Sequence, residues 1–473
     1  MQLSAALVAL AATSVSAVKP LKIQGNEFYD PDSGNKFQVV GMAYQPGGSS
    51  GYNAEKLQDP LSDPETCMRD AALMQAIGIN TVRSYNLNPN ANHDACASIF
   101  NAAGIYMIID VNAPQMSLDA AKPWESYYNA YLNRTFAVVE AFKGYDNTLA
   151  FFSANEAIDS TNHTEFTPGY IRAVTRDLRQ YIKKHSDRDI PVGYSAADIR
   201  DVLPETYHYL ECDNGKNDMS EGEIFALNSY SWCGPKASFT NSGYQNITNT
   251  LKDTHVPVFF SEYGCNEDPP RLWDETKSLY GDDMDKIFSG GIIYQWTEDA
   301  NHYGIVNITG DKLTLMDDYT RIKSKFGELN WKNIQGQKAA KKDIKAPKCD
   351  AKMIKYPGFE KNFTLPVIDG TDKLISDGVN PKPSGKFISI DNYNVKMSVF
   401  DAQGNAIKNL KVVPQKDNQF NIYGNVQLDT GKTSDGKTSG DSKGGKNGTD
   451  NAAGLLHPAV WAAAMPALAM LAF

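Results

Sequence analysis

A (β/α)8 barrel is the fold this sequence predicts, with a small β-rich appendage after it. Three observations carry that expectation. Short apolar, β-branched runs alternate with longer amphipathic stretches through the middle of the chain. There are eight such runs, which suits a closed barrel better than an open doubly wound sheet. Polar residues also collect just where each run stops, the end of a barrel strand at which function gathers.

The runs, in order, are Phe37–Tyr44, Thr81–Tyr85, Ile105–Val111, Leu149–Ala154, Pro191–Ser195, Ile224–Tyr230, Val256–Glu262 and Gly291–Thr297. Helices are predicted between them. Pro64–Ile77 opens on proline and stops at Gly78, and His93–Ala103 stops at Gly104. Tyr170–His185 places Ile171, Val174, Leu178 and Ile182 at spacings of three and four. Trp273–Phe288 and Tyr319–Leu329 follow the later strands. The stretch after Tyr44, Gln45-Pro46-Gly47-Gly48-Ser49-Ser50, is Gly-rich but lacks GxGxxG spacing and leads into no helix, so it reads as a substrate-side loop. The barrel is expected to span residues 18–345 and the β-rich appendage residues 346–427, with strand-like pieces at Val395–Phe400 and Ala406–Val413 around a turn at Gln403-Gly404-Asn405.

The two ends read as targeting segments. Residues 1–17 are apolar and small, too short to span a bilayer, and Val15-Ser16-Ala17 fits a cleavage site, so a signal peptide is expected with the mature chain starting near Val18. Residues 428–450 form a Gly/Ser/Lys-rich linker. Residues 451–473 combine small residues with a short apolar tail, the pattern of a GPI-attachment signal, with Asn451 as the anchor site and Asn447 and Gly448 as alternatives. A lipid-anchored, cell-surface monomer is the expectation. The six cysteines, Cys67, Cys96, Cys212, Cys233, Cys265 and Cys349, suit three disulfides in an oxidising compartment, and no CxxC spacing points to zinc or redox chemistry. Glycosylation sequons begin at Asn133, Asn162, Asn246, Asn307, Asn362 and Asn447. A net charge of −10 without a basic, aromatic-interleaved stretch argues against a nucleic-acid partner. The aromatic content, 11% with 24 tyrosines, fits either core packing or stacking on sugar rings. No metal or cofactor is expected.

The strand ends deliver Tyr44 and Gln45, Arg83 and Tyr85, Asp110 and Asn112, Asn155 and Glu156, Asp198, Asn228 and Tyr230, Glu262 and Tyr263, and finally Tyr294 and Trp296. Glu156 follows the fourth strand and Glu262 the seventh, so both carboxyls can reach one central cleft. Retaining glycosidases need two carboxyls about 5–5.5 Å apart, one a nucleophile and the other an acid and then a base. Taken singly, a glutamate at a strand end is more often an ion-pair partner; the two together at these strand ends favour chemistry. Asn155 fits a hydrogen bond to a sugar 2-hydroxyl, and Arg83, in an apolar strand, fits a group that holds a carboxylate in place. Tyr44, Tyr85, Tyr230 and Tyr294 suit either a sugar cleft or packing. No G-x-S-x-G elbow supports a serine triad.

These residues stand in motifs that resemble the fungal β-1,3-glucanosyltransferases of glycoside hydrolase family 72. The matching stretches are Tyr44–Ser50, Leu61–Pro64, Arg83–Tyr85, Phe151–Glu156, Pro191–Ser195, Asn228–Cys233 and Phe260–Cys265. The resemblance implies a retaining enzyme that cuts an internal β-1,3-glucan bond and passes the fragment to another glucan chain. It implies Glu156 as acid/base, Glu262 as nucleophile, and Gln45, Tyr85, Asp110, Asn155, Asp198, Tyr230 and Tyr294 as glucan-binding residues. The segment from Asp110 to Leu118 resembles the loop bordering the donor sites. The family pattern pairs Cys67 with Cys96, Cys212 with Cys349, and Cys233 with Cys265. The chain departs from that pattern at Tyr294-Gln295-Trp296, where Tyr-Glu-Tyr is usual, at Leu203, where an arginine is usual and Arg200 is the nearest substitute, and in lacking the cysteine-rich carbohydrate-binding module of some members. A plain endo-β-1,3-glucanase and a weakly active glucan-binding wall protein are the rival readings.

Overall fold

A computed structural model describes residues 18–215, 218–340, 344–380, 382–416 and 418–429. The expected signal peptide, nearly all of the linker and the GPI segment with Asn451 therefore lie outside the described residues. Eight parallel strands close a barrel: β1 Val39–Tyr44, β2 Thr81–Ser84, β3 Tyr106–Asp110, β4 Thr148–Asn155, β5 Val192–Ala197, β6 Ile224–Ser229, β7 Val258–Tyr263 and β8 Phe288–Ile293. Neighbours pair in sequence order, and β8 closes on β1 with Gly290 opposite Val39.

A helix follows each strand: α1 Pro64–Ala76, α2 Asp94–Ala102, α3 Asn129–Phe142, α4 Thr167–His185, α5 Leu203–Glu211, α6 Tyr244–Thr250, α7 Glu275–Leu279 and α8 Asp317–Gly327. Asp63 caps α1, accepting from the Glu65 amide at 3.1 Å, and proline fills the first helical position. The apolar rows of the helices turn inward and form an outer core with the outward side chains of the strands. A second core fills the barrel itself: Val39, Ala43, Ile108, Ala150, Phe152, Ile224, Ala226, Phe259 and Ile292. Close strand approach requires Gly193, where a β-carbon would lie 2.5 Å from the Ile224 carbonyl oxygen. An antiparallel sheet of Lys22–Gln24, Glu27–Tyr29 and Lys36–Phe37 adds Phe28 and Phe37 to the inner core.

Two expected elements differ. The eighth strand is Phe288–Ile293, three residues earlier than Gly291–Thr297, so Tyr294, Gln295 and Trp296 belong to the loop beyond it. The helix expected over Trp273–Phe288 shrinks to α7, because the chain turns at Gly281, whose amide donates to the Ser278 carbonyl, and Asp283 takes the Ser278 hydroxyl at 2.8 Å. Short-range periodicity there came from loop residues packing on the core rather than from a helix face.

Of the expected β-rich appendage, Ser398–Phe400 forms a strand, parallel to Lys312–Leu315 of a hairpin that follows β8. The turn at Gly404 is present, and isolated bridges join Phe400 to Ala406 and Asn394 to Lys411. The remainder runs as a strap over the barrel helices. Phe363 stacks on Tyr209 of α5 at 4.9 Å, the helix Thr371–Asp377 packs on α4, and Gln75 of α1 exchanges hydrogen bonds with the Val413 backbone. Ile354, Phe359, Val379, Val399, Ile407 and Val412 join the outer core, so this segment gains its stability from the barrel surface more than from strand pairing. Among the described residues, no helix is long and apolar enough to cross a membrane.

Candidate active site

The carboxyl ends of all eight strands open on one side of the barrel, and the site is built there around Arg83. Arg83 is fully buried on β2. Its Nε and Nη2 donate to the two oxygens of Asp110 at 3.0 and 2.8 Å. Nη2 also donates to Oδ1 of Asn155 at 2.8 Å, and Nη1 to Oε1 of Glu262 at 3.3 Å and to the Ser261 carbonyl at 3.2 Å. A buried guanidinium is tolerated because two carboxylates neutralise it. Those carboxylates also hold its protonated form more firmly than usual, although burial pulls the other way.

Strand irregularities aim the two candidate glutamates. The pairing of β7 with β6 shifts register between Phe260 and Glu262, and this bulge lets both Ser261 and Glu262 face the site. Glu156 follows the last residue of β4 with a left-handed backbone, φ 48°, a conformation that residues other than glycine take mainly where the surroundings impose it. Its amide donates to the Ser195 carbonyl at 2.8 Å, which fixes the turn.

The two glutamates are joined through Asn228. Its Nδ2 donates to Oε1 of Glu156 at 3.0 Å, while its Oδ1 accepts from Arg83 at 3.4 Å and from Ser261 at 2.8 Å. Glu262 receives more. Tyr85 donates to Oε1 at 2.9 Å, Tyr230 donates to Oε2 at 2.5 Å, and Arg83 supplies the third bond. Burial raises the pKa of both carboxyls, and carries that of Glu262 up to about 7 against the pull of Arg83 and with a push from Glu156. Two interacting buried carboxyls share a titration. The donors are unequal: Arg83, Tyr85 and Tyr230 point at Glu262, and the Asn228 amide alone at Glu156, an arrangement that favours the carboxylate form of Glu262 more than that of Glu156.

The other predicted residues fall into three groups. Tyr85, Tyr230 and Asn155 meet at the glutamates as described. Asn155 spends its Oδ1 on Arg83, Ser195 and Asn228, so its Nδ2 remains for the cleft. Tyr294 stands beside Tyr230, ring centroids 6.0 Å apart, and half-buried Gln45 has a buried Nε2 with no partner among the described residues. Two of the predicted glucan-binding residues are paired with arginines: Asp110 is a buried counter-ion to Arg83, and Asp198 accepts from Arg200 and from the Ser229 hydroxyl at 2.7 Å. Tyr44 is not a cleft residue either. It is fully buried and donates to Asp70 at 3.1 Å.

Two of the departing side chains, Leu203 and Trp296, lie in the core. Leu203 opens α5 and is 2% exposed; Trp296 is fully buried against Tyr319. Neither side chain lines the cleft, and Arg200 is held at the strand-five end by Asp198, Ser231 and the Gly243 carbonyl. Sequence reasoning missed Ser195 and Ser261, which hydrogen-bond each other at 2.9 Å beneath the glutamates, and Tyr303, whose ring lies 5.4 Å from both Tyr230 and Tyr294. The serines sat in motifs already singled out. Tyr303 lies in a loop without periodicity, and nothing local marked it.

The disulfides join Cys67 to Cys96, Cys212 to Cys349 and Cys233 to Cys265, as the family pattern implies. The last one clips the loop after Tyr230 to the loop after Glu262. Cys233, Cys265 and Glu267 lie close together, but both sulfurs are spent in that bridge. The five sequon asparagines among the described residues, Asn133, Asn162, Asn246, Asn307 and Asn362, are all exposed.

Comparison with known proteins agrees with this geometry. The glycoside hydrolase family 72 glucanosyltransferase model matches residues 10–330. The 1,3-beta-glucanosyltransferase gel2 of Aspergillus fumigatus is 45% identical over 405 residues, covering 85% of this chain and 84% of that protein. The probable 1,3-beta-glucanosyltransferase GAS3 of Saccharomyces cerevisiae is 44% identical over 416 residues, covering 82% and 79%. A mutant of Saccharomyces cerevisiae Gas2p solved in complex with laminaritetraose and laminaripentaose superposes with a TM-score of 0.65 at 30% identity, over 74% of this chain and 75% of that one. The chain belongs to the glycoside hydrolase family 72 glucanosyltransferases.

Proposed function

We propose that this protein is a 1,3-β-glucanosyltransferase acting by retaining double displacement, and that it remodels β-1,3-glucan in the fungal cell wall. The observation that carries the reading is the unequal solvation of the two carboxyls: three donors on Glu262 and one amide on Glu156. Glu262 attacks the anomeric carbon of an internal β-1,3 bond as Glu156 gives its proton to the departing oxygen. A glycosyl ester forms on Glu262 and the reducing-side fragment leaves. Glu156, now a carboxylate, takes the proton from a hydroxyl at the non-reducing end of a second chain; that oxygen attacks the ester, and Glu262 departs as carboxylate. Two inversions leave a β bond. The names of the relatives and the oligosaccharides held by the yeast protein support β-1,3-glucan as donor and acceptor.

Gln45, Tyr85, Asn155, Tyr230 and Tyr294 line the glucan path in this reading, while Asp110 and Asp198 act through Arg83 and Arg200. A removed signal peptide, glycans on the exposed sequons and a GPI anchor at Asn451 place the enzyme, as a monomer, at the outer cell surface. The test is product size. Incubated with a reduced β-1,3-gluco-oligosaccharide, the protein yields products longer than the substrate; only shorter ones would sink transfer in favour of hydrolysis. Glu156→Gln and Glu262→Gln each abolish product. A donor whose leaving group needs no proton restores the first step in Glu156→Gln but not in Glu262→Gln, and the reverse pattern refutes the assignment.

A further inference from the structure

Few large apolar side chains are exposed among the described residues: Leu57, Trp124, Tyr128, Phe166, Val367 and Ile388. Scattered exposure of this kind needs no explanation. Half of the set, however, is aromatic and belongs to two adjoining loops. Trp124 and Tyr128 lie in the loop from β3 to α3, and Phe166 closes the loop from β4 to α4. Both loops leave the carboxyl ends of their strands, on the side where Glu156 and Glu262 stand. Trp124, 48% exposed, meets Phe166, 46% exposed, edge to face with centroids 5.4 Å apart.

The backbone beneath them is tied down. Asp119 accepts from the amides of Ala121 and Lys122 at 2.8 Å, Ser126 accepts from the Asp119 amide at 2.8 Å, and Thr167 donates to the Ala120 carbonyl at 2.7 Å. Tyr127 is buried between them, edge-on to Tyr170. The same loop begins at Asp110, bound to Arg83, and passes through Met116, whose sulfur accepts from the Tyr128 hydroxyl at 3.4 Å. A single loop thus runs from the base of the cleft at Asp110 to the aromatic surface at Trp124 and Tyr128. Tyr294 and Tyr303 belong to the loop after β8, across the barrel mouth.

We infer that Trp124 and Phe166, with Tyr128 beside them, form an outer stacking platform for a β-1,3-glucan chain that extends from the cleft over the β3 and β4 loops, an inference that rests on the proposed activity. A pyranose ring presents an apolar C–H face, and a fixed, exposed indole or phenyl ring covers it without ordering a flexible side chain on binding. The platform adds affinity only for chains long enough to reach it, and so sets the enzyme's preference for chain length.

The test measures binding to the inactive Glu262→Gln protein by calorimetry, with one short and one long β-1,3-gluco-oligosaccharide. Adding Trp124→Ala and Phe166→Ala weakens the long chain about tenfold and leaves the short chain unmoved. Trp124→Phe with Phe166→Tyr recovers most of the loss, and the unfolding midpoint of each variant confirms that it is folded. Equal loss for both lengths, or no loss for either, overturns the platform while leaving the catalytic reading intact. A Glu262→Gln protein that binds no β-1,3-glucan of any length overturns both.

Discussion

Nη1 of Arg83 donates to Oε1 of Glu262 at 3.3 Å, from a guanidinium whose other nitrogens hold Asp110 and Asn155. One planar cation therefore holds both Glu262 and Asn155, the residue before Glu156. Lysine cannot reproduce that fork. Arg83→Lys is expected to lower kcat/KM by about 10²–10³-fold while the protein stays folded. Steady-state kinetics together with a thermal melt check this; a folded variant of near wild-type activity would refute the role.

Tyr230 tests the charge on Glu262. Its hydroxyl favours the carboxylate, so Tyr230→Phe raises the pKa of Glu262. The proposed double displacement needs that group ionised. The acid limb of kcat/KM therefore moves to higher pH, and the rate falls by about 10–100-fold near the wild-type optimum, the worth of one hydrogen bond to a charge. A limb that stays in place would mean that Glu262 is not the titrating nucleophile.

The bridges Cys233–Cys265 and Cys212–Cys349 separate stability from function. They close stretches of 32 and 137 residues, for which chain entropy gives about 4 and about 5 kcal/mol. Cys212 ends α5, at the barrel end away from the glutamates, whereas the Cys233 sulfur lies 3.1 Å from the Tyr230 carbonyl oxygen. Replacing Cys212 and Cys349 by alanine should lower the unfolding midpoint yet preserve turnover below it. Replacing Cys233 and Cys265 should cost turnover even where the protein remains folded. Chemical denaturation and assays at low temperature distinguish the two.

Glu211 gives the stability a pH dependence. Its carboxyl is buried, both oxygens lack a partner among the described residues, and burial pushes its pKa up to about 8 from the ordinary 4.5. Between those values the folded state holds a proton that the unfolded chain has released, so this group's contribution falls as pH rises from about 4.5 to about 8. In Glu211→Gln the stability curve over that window should flatten. Urea titrations at several pH values measure it, and an unchanged slope would refute the assignment.

The barrel was legible because its signals are local. Apolar runs of strand length, helix punctuation at Pro64 and Gly78, and amphipathic spacing in α4 depend on near neighbours. The meeting of the two candidate glutamates was legible too, since strand order alone carries Glu156 and Glu262 to one mouth. Strand eight and the stretch after Trp273 were misread where loop residues packed into the core and mimicked an element's pattern.

By itself the sequence determined the eight-fold alternation, the two glutamates and the family, all properties of order along the chain. Only the tertiary structure decided how unequally the two carboxyls are hydrogen-bonded, because that depends on donors from β2 and from the segments after β2 and β6 converging on Glu262. It also paired Asp110 and Asp198 with arginines, and sent Leu203 and Trp296 into the core. A side chain's direction is fixed by strand register, bulges and partners distant in sequence, and none of these is written at the residue itself.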